Sequence, residues 1–185
     1  GSGKTTPLNL IGALDCPDAG QIYIGEAEIS SLSRSQAAAF RLAHIGFVFQ
    51  AYNLIPVLTA YENAEFVLLL QGVPQGKRRE IVMPLLERVG LSQEAERKPH
   101  ELSGGQQQRV AVVRAIASRP GVVLADEPTA NLDRETSEGL LALMLELNSE
   151  HGVTFLFSSH DVAVIERARR VVRLDSGRIV SDESR

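Results

Sequence analysis

The chain has 185 residues, 44% hydrophobic and 23% charged, the balance of an ordinary packed domain rather than a disordered, fibrous or disulfide-stapled one. Nineteen basic against 23 acidic residues leave a net charge of −4, without the basic footprint of a nucleic-acid binder, so no nucleic-acid partner is expected. The longest apolar run, six residues at 140–145, is far short of the roughly 18 that span a bilayer, so membrane contact is expected only through a partner. Cys16 stands alone and is expected to be a small buried or half-buried side chain. No Met opens the chain and no signal segment follows, so the first residue is expected to be a cut rather than a natural start.

In chain order, an apolar helical pattern through Leu8, Leu10, Ile11 and Leu14 follows the first six residues, and short β-rich runs follow at 21–24 and 45–49. The stretch 51–115 holds no good strand but helical patterns at 60–70, 77–89 and, running just past it, 105–116, and reads as a helical insertion. Strands return at 122–125, 153–158 and 170–174, with a leucine-rich helix at 134–147 between the first two. The runs VVLAD and VTFLFSS are nearly continuous in apolar residues, as central parallel strands buried on both faces should be. Asp175, Ser176 and Gly177 separate two final runs, 171–174 and 178–180, and predict a terminal hairpin. Alternating strands and helices give an α/β fold with a largely parallel sheet.

Three clusters carry chemistry. Gly1, Ser2, Gly3, Lys4, Thr5 and Thr6 form most of a phosphate-binding loop. Its glycines let backbone N–H groups approach phosphate oxygens, Lys4 reaches the β- and γ-phosphates, and the Thr5 hydroxyl can ligate Mg²⁺. The alternative is an unrelated helix behind a Gly-Ser leader. Next, VVLA delivers two carboxylates to a strand end: Asp126, placed to hold Mg²⁺ through water, and Glu127, placed to orient and polarise an attacking water. A solvated acidic turn is the alternative, since Asp-Glu-Pro is also good loop chemistry. Finally, Leu102-Ser103-Gly104-Gly105-Gln106 opens a helix and offers a hydroxyl and backbone amides to an anion. A prescribed five-residue string arises by chance in a chain of this length on the order of once in ten thousand.

With these motifs the whole chain resembles the nucleotide-binding subunits of ABC transporters. It is most similar to the bacterial branch that powers lipoprotein release, macrolide export and division-associated complexes. The resemblance rests further on HIGFVFQ at 44–50, NLIPVLTAYEN at 53–63, PHELSGGQQQRVAVVRAI at 99–116 and DEPTANLD at 126–133. It implies a P-loop NTPase core at 1–50 and 116–185, a helical subdomain with the signature motif at 51–115, and strands with an adenine-stacking aromatic before the phosphate loop. One such missing strand is expected beside 122–125.

The resemblance implies further that two copies sandwich two ATP molecules, so that Ser103, Gly104, Gly105 and Gln106 serve the partner's nucleotide and Asp133 lies in the loop that crosses to the partner. Gln50 is then the residue touching Mg²⁺ and the attacking water, and His160 the one contacting the γ-phosphate. The implied function is an ATPase, peripheral at the cytoplasmic face of the inner membrane, that drives transmembrane permease subunits. A truncated or regulatory homologue that binds partners without turnover remains the alternative. Pro7 and Ala130 depart from the family pattern, while His44, His100 and His151 have no ligand partner at metal spacing.

Overall fold

The computed structural model describes residues 3–185, except for the side chain of His151. Helix α1 (Thr5–Ile11) is followed by a small hairpin, β1 (Tyr23–Ile24) and β2 (Ala27–Glu28), then α2 (Arg34–His44) and β3 (Ile45–Val48). Helices α3 (Ala60–Leu70) and α4 (Gln75–Arg88), a 3-10 turn at Pro99–Glu101 and α5 (Gly104–Ile116) form the middle of the chain. The remainder comprises β4 (Val122–Asp126), α6 (Arg134–His151), β5 (Thr154–Ser158), α7 (Val162–Arg167) and the antiparallel pair β6 (Arg170–Asp175) and β7 (Arg178–Ser184).

Strands β3, β4 and β5 make a parallel sheet in that order. Strand β4 alternates: Val123 and Ala125 pack with Val112, Ile116, Leu140 and Met144 of α5 and α6, while Leu124 packs with Leu8 of α1 on the opposite face. From Val110 to Ile116, α5 is apolar at every position but Arg114, because this half of the helix serves two cores. Its Val112, Ala115 and Ile116 face the sheet; its Val110 and Val113 join Ala64, Leu68, Val82 and Leu86 of α3 and α4.

Local chemistry fixes the helix starts. Capping boxes at Ser33/Gln36, Thr59/Glu62 and Ser103/Gln106 open α2, α3 and α5, and Asp133 and Asp161 cap α6 and α7. Pro7 sits in the first turn of α1, where its missing N–H has no intrahelical partner to lose. At the terminal hairpin, Ser176 and Gly177 take φ of +48° and +76°, the left-handed pair that matches the twist of a two-residue turn.

Three expectations are corrected. No place is left beside 122–125, because β4 has a parallel neighbour on each side. Run 153–158 is not doubly buried: among the described residues β5 pairs on one side only, and Thr154 and Leu156 are exposed. Cys16 is exposed rather than buried. Helices α2 and α7 and strand β2 have no counterpart among the elements predicted from sequence. Among the described residues, no helix is long and apolar enough to cross a membrane.

Candidate active site

The carboxyl ends of parallel strands meet helix N-termini where backbone dipoles converge, and this is where the titratable groups collect. No side chain caps α1, in contrast to α2, α3, α5, α6 and α7, which leaves its first-turn N–H groups available to an anion. Gly3, at φ +82°, lies close to the hairpin turn; a Cβ there would stand 3.4 Å from the Gly177 Cα. Gly1 and Ser2 lie outside the described residues.

Directly after Asp126, at the end of β4, Glu127 adopts φ +45°, a left-handed conformation that costs a non-glycine residue about 1–3 kcal/mol. The surroundings over-determine it. Its N–H donates to the Ser158 carbonyl at 2.8 Å, and the buried Gln108 amide of α5 donates to the Pro128 carbonyl at 2.8 Å. The Thr129 hydroxyl donates to Asp161 at 3.0 Å. The turn 126–130 is thereby tied to β5, α5 and α7, and aims one carboxylate into the crevice.

That carboxylate gathers three partners. Lys4 Nζ lies 3.5 Å from Glu127 Oε1, His160 Nδ1 lies 2.8 Å from the same oxygen, and the Ser159 hydroxyl donates to Oε2 at 3.2 Å. Burial pushes the Glu127 carboxyl up, but the hydrogen bond and charge of His160, with Lys4 and Ser159, outweigh it and hold the group below its ordinary value. Glu127 is therefore ionised at neutral pH and accepts from Nδ1–H of His160. That assignment leaves Nε2 as the imidazole's remaining polar atom, so donation from it to a phosphate requires the imidazolium form.

The other sequence-selected residues lie around this cluster. Asp126 is half-buried and lines a small cavity with Leu8, Asn9, Phe47 and Phe49. Gln50 is exposed, and its carbonyl accepts from the Asn131 amide at 2.9 Å. Thr5 and Thr6 are exposed in the first turn of α1. The Ser103–Gln106 turn makes its described contacts elsewhere. The Ser103 hydroxyl caps α5, a Cβ at Gly104 would meet the Tyr52 hydroxyl at 2.8 Å, and one at Gly105 would meet Thr136 at 2.5 Å. Asp133 caps α6 through the Thr136 N–H and hydroxyl, and those bonds hold its carboxyl below the ordinary value. Among the described residues no three His, Cys, Asp or Glu side chains group to hold a metal by themselves. The donors Thr5 and Asp126 suit Mg²⁺ instead, which takes one or two protein oxygens and completes its shell with water and phosphate.

Sequence reasoning missed Ser159, Gln108, Asn131, Tyr52 and Arg114. Ser159 is adjacent to His160 and its signal was proximity; the others are recognisable only from their three-dimensional partners.

Comparison with known proteins agrees with this architecture. A family model described as ABC transporter matches residues 1–130. The macrolide export ATP-binding/permease protein MacB of Rhodopirellula baltica is 45% identical over 184 residues, 98% of this chain, which spans 27% of that protein's length. The lipoprotein-releasing system ATP-binding protein LolD of Pseudomonas fluorescens is 43% identical over 181 residues, covering 98% of this chain and 80% of its own. The solved dimer of the ATP-binding cassette MJ0796, in a post-hydrolysis state bound to ADP and Pi, superposes with a TM-score of 0.90 at 41% identity, over 99% of this chain and 81% of that one. With a family match over most of its length and a TM-score of 0.90 to a solved cassette, this chain belongs to the ABC transporter family, as one of its ATP-binding cassettes.

Proposed function

We propose that the chain hydrolyses ATP to ADP and phosphate as a homodimer and that hydrolysis drives transmembrane permease subunits, through which alone it is held at the cytoplasmic face of the inner membrane. The observation that carries this reading is the meeting of Lys4, Glu127 and His160 at the carboxyl end of β4. The named relatives add support: one joins an ATP-binding part to a permease, and another is the ATP-binding protein of a releasing system.

In this mechanism the backbone of Gly1 to Thr6 and the Lys4 ammonium take the β- and γ-phosphates. Thr5, Asp126 and Gln50 hold Mg²⁺, which when bound neutralises charge on the phosphate oxygens. Glu127 receives a proton from the attacking water. Its chemistry depends on what surrounds it: in the structure Lys4 and His160 keep it a weak base. As both turn to phosphate, burial is left to push the carboxyl up, so the group becomes a better proton acceptor when substrate is in place. His160, released from Glu127, then donates its N–H to the γ-phosphate and stabilises charge there. Ser103, Gly104, Gly105 and Gln106 complete the partner's site, with Asp133 in the crossing loop, and residues 51–115 form the part that faces the permease. Phosphate release by the full chain, with ATP and Mg²⁺ and with Mg²⁺ chelated, tests the reading; no ATP-dependent phosphate above a no-protein blank would refute it.

A further inference from the structure

Two consecutive residues just after Gln50, Tyr52 and Asn53, take φ of +60° and +49°. Asn tolerates that conformation; Tyr does so rarely. Such a pair persists only where the surroundings hold it, and here a single side chain does much of the holding. From the last turn of α5, Arg114 donates Nη1–H to the Asn53 carbonyl at 2.5 Å and Nη2–H to the Tyr52 carbonyl at 2.9 Å. Among the described residues its guanidinium meets no carboxylate, and burial alone pushes it below its ordinary value. An arginine drawn from water without a counter-ion is costly; its rigid fork, which suits two oxygens at once, is matched here to the two carbonyls of the left-handed pair.

The same tyrosine reaches the opposite end of α5. Its hydroxyl rests on Gly104, in the space a Cβ would need. Ten residues of helix, roughly 15 Å, separate Gly104 from Arg114, so Tyr52 and Arg114 together lie along α5 and touch both its first and its last turn. The Gln50 end of this segment is held by Asn131, and its far end by Asn63, whose side chain bonds Ile55, Leu58 and Thr59.

We propose that Arg114 is a positioning residue: by gripping the carbonyls of Tyr52 and Asn53 it locks the Gln50 segment to the signature helix, so that the segment serving one ATP and the segment serving the partner's ATP move as one body. The functional half of this inference rests on the proposed ATPase activity; the mechanical half does not.

The test uses the full chain and the variants Arg114→Gln, Arg114→Lys, Asn53→Gly and the double variant Asn53→Gly/Arg114→Gln. Hydrogen exchange without nucleotide reads the mechanics. Arg114→Gln should speed exchange at least tenfold in 51–58 and at least threefold in 104–108, while Arg114→Lys, which keeps the charge but has a single donor nitrogen in place of the fork, should fall between. Faster exchange in 51–58 with 104–108 unchanged within twofold overturns the proposal, as does no change in either. ATP hydrolysis reads the consequence. Arg114→Gln should lower kcat at least tenfold with KM for ATP within threefold, because Lys4 and the phosphate loop are untouched. Glycine at 53 relieves strain, so the double variant should regain thermal stability but not kcat. Recovery of kcat together with stability would mean that Arg114 only offsets strain, and the proposal fails. If the unaltered chain hydrolyses no ATP, the proposed function falls and the exchange experiment alone decides this inference.

Discussion

Replacing Glu127 by glutamine removes a charge while keeping a side chain of the same shape. With its amide oxygen in the place of Oε1 the glutamine still accepts from His160 Nδ1–H, and its NH2 in the place of Oε2 can donate to the Ser159 hydroxyl oxygen, so the turn at 126–130 should hold, but the attraction for Lys4 at 3.5 Å disappears. Taken at the dielectric of water, that attraction is about 1 kcal/mol, and it is larger wherever solvent is excluded; the Lys4 side chain is 31% exposed and Glu127 18%, so screening is partial and the lower figure is the safe one. Phosphate must draw Lys4 from Glu127 in the native chain, so Glu127→Gln should bind ATP more tightly by roughly fivefold to tenfold. Hydrolysis should fall by at least about 10²-fold, the loss typical of a positioned base, and ATP-bound dimer should accumulate. Titration with a fluorescent ATP analogue, phosphate release and light scattering of the ATP-loaded protein measure the three effects. Hydrolysis within threefold of the native chain would move the proton acceptor elsewhere, and unchanged affinity would refute the competition for Lys4.

Glu127 also gives the fold an acid sensitivity. Its folded-state carboxyl lies below the ordinary 4.5, so its stabilising contribution is complete above about pH 4.5 and lost as pH falls through the folded value; Tm of Glu127→Gln should decline less steeply than that of the native chain between pH 5 and 3. Asn63→Ala removes four hydrogen bonds from a fully buried side chain and leaves the Ile55 N–H without its acceptor, which should cost about 3 kcal/mol, or roughly 6–12 °C in Tm by calorimetry; a shift under about 2 °C would refute it. At Gly46 a Cβ would stand 2.3 Å from the Ala115 carbonyl oxygen, so Gly46→Ala must force β3 and α5 apart and cost about 1–3 kcal/mol, measured by urea unfolding.

The helical middle was legible because its signals are local. Residues 60–70 coincide with α3, and 105–116 differs from α5 by one residue at its start. Helix α2 carries local signals as well, the Ser33/Gln36 capping box and an amphipathic pattern, yet it has no counterpart among the elements predicted from sequence. Run 153–158 misled for a physical reason: Thr154, Leu156 and the phenylalanines make a nearly continuous apolar string, yet what a strand buries is decided by what pairs with it. Sequence spacing likewise says nothing about neighbours, and β4 could be given its two flanking strands only by the sheet itself.

At the site the division follows the same line. The string of residues alone determined which chemistries were present: a phosphate-loop lysine, a carboxylate at a strand end, a serine-glycine turn before a helix and a histidine after a strand. Each is a property of residue type and near neighbours, and each survives any arrangement of the rest. Only the tertiary structure decided that Lys4, Glu127, Ser159 and His160 share one carboxylate, because residues 4, 127 and 160 meet through the crossing of separate βα units. It alone decided that Arg114 grips the backbone of Tyr52 and Asn53, since a side chain that binds carbonyl oxygens leaves no mark on the identity of the residues it holds. Hydrogen bonds to backbone are blind to sequence, and long-range pairs are set by packing; those are the two kinds of contact that a linear pattern does not encode.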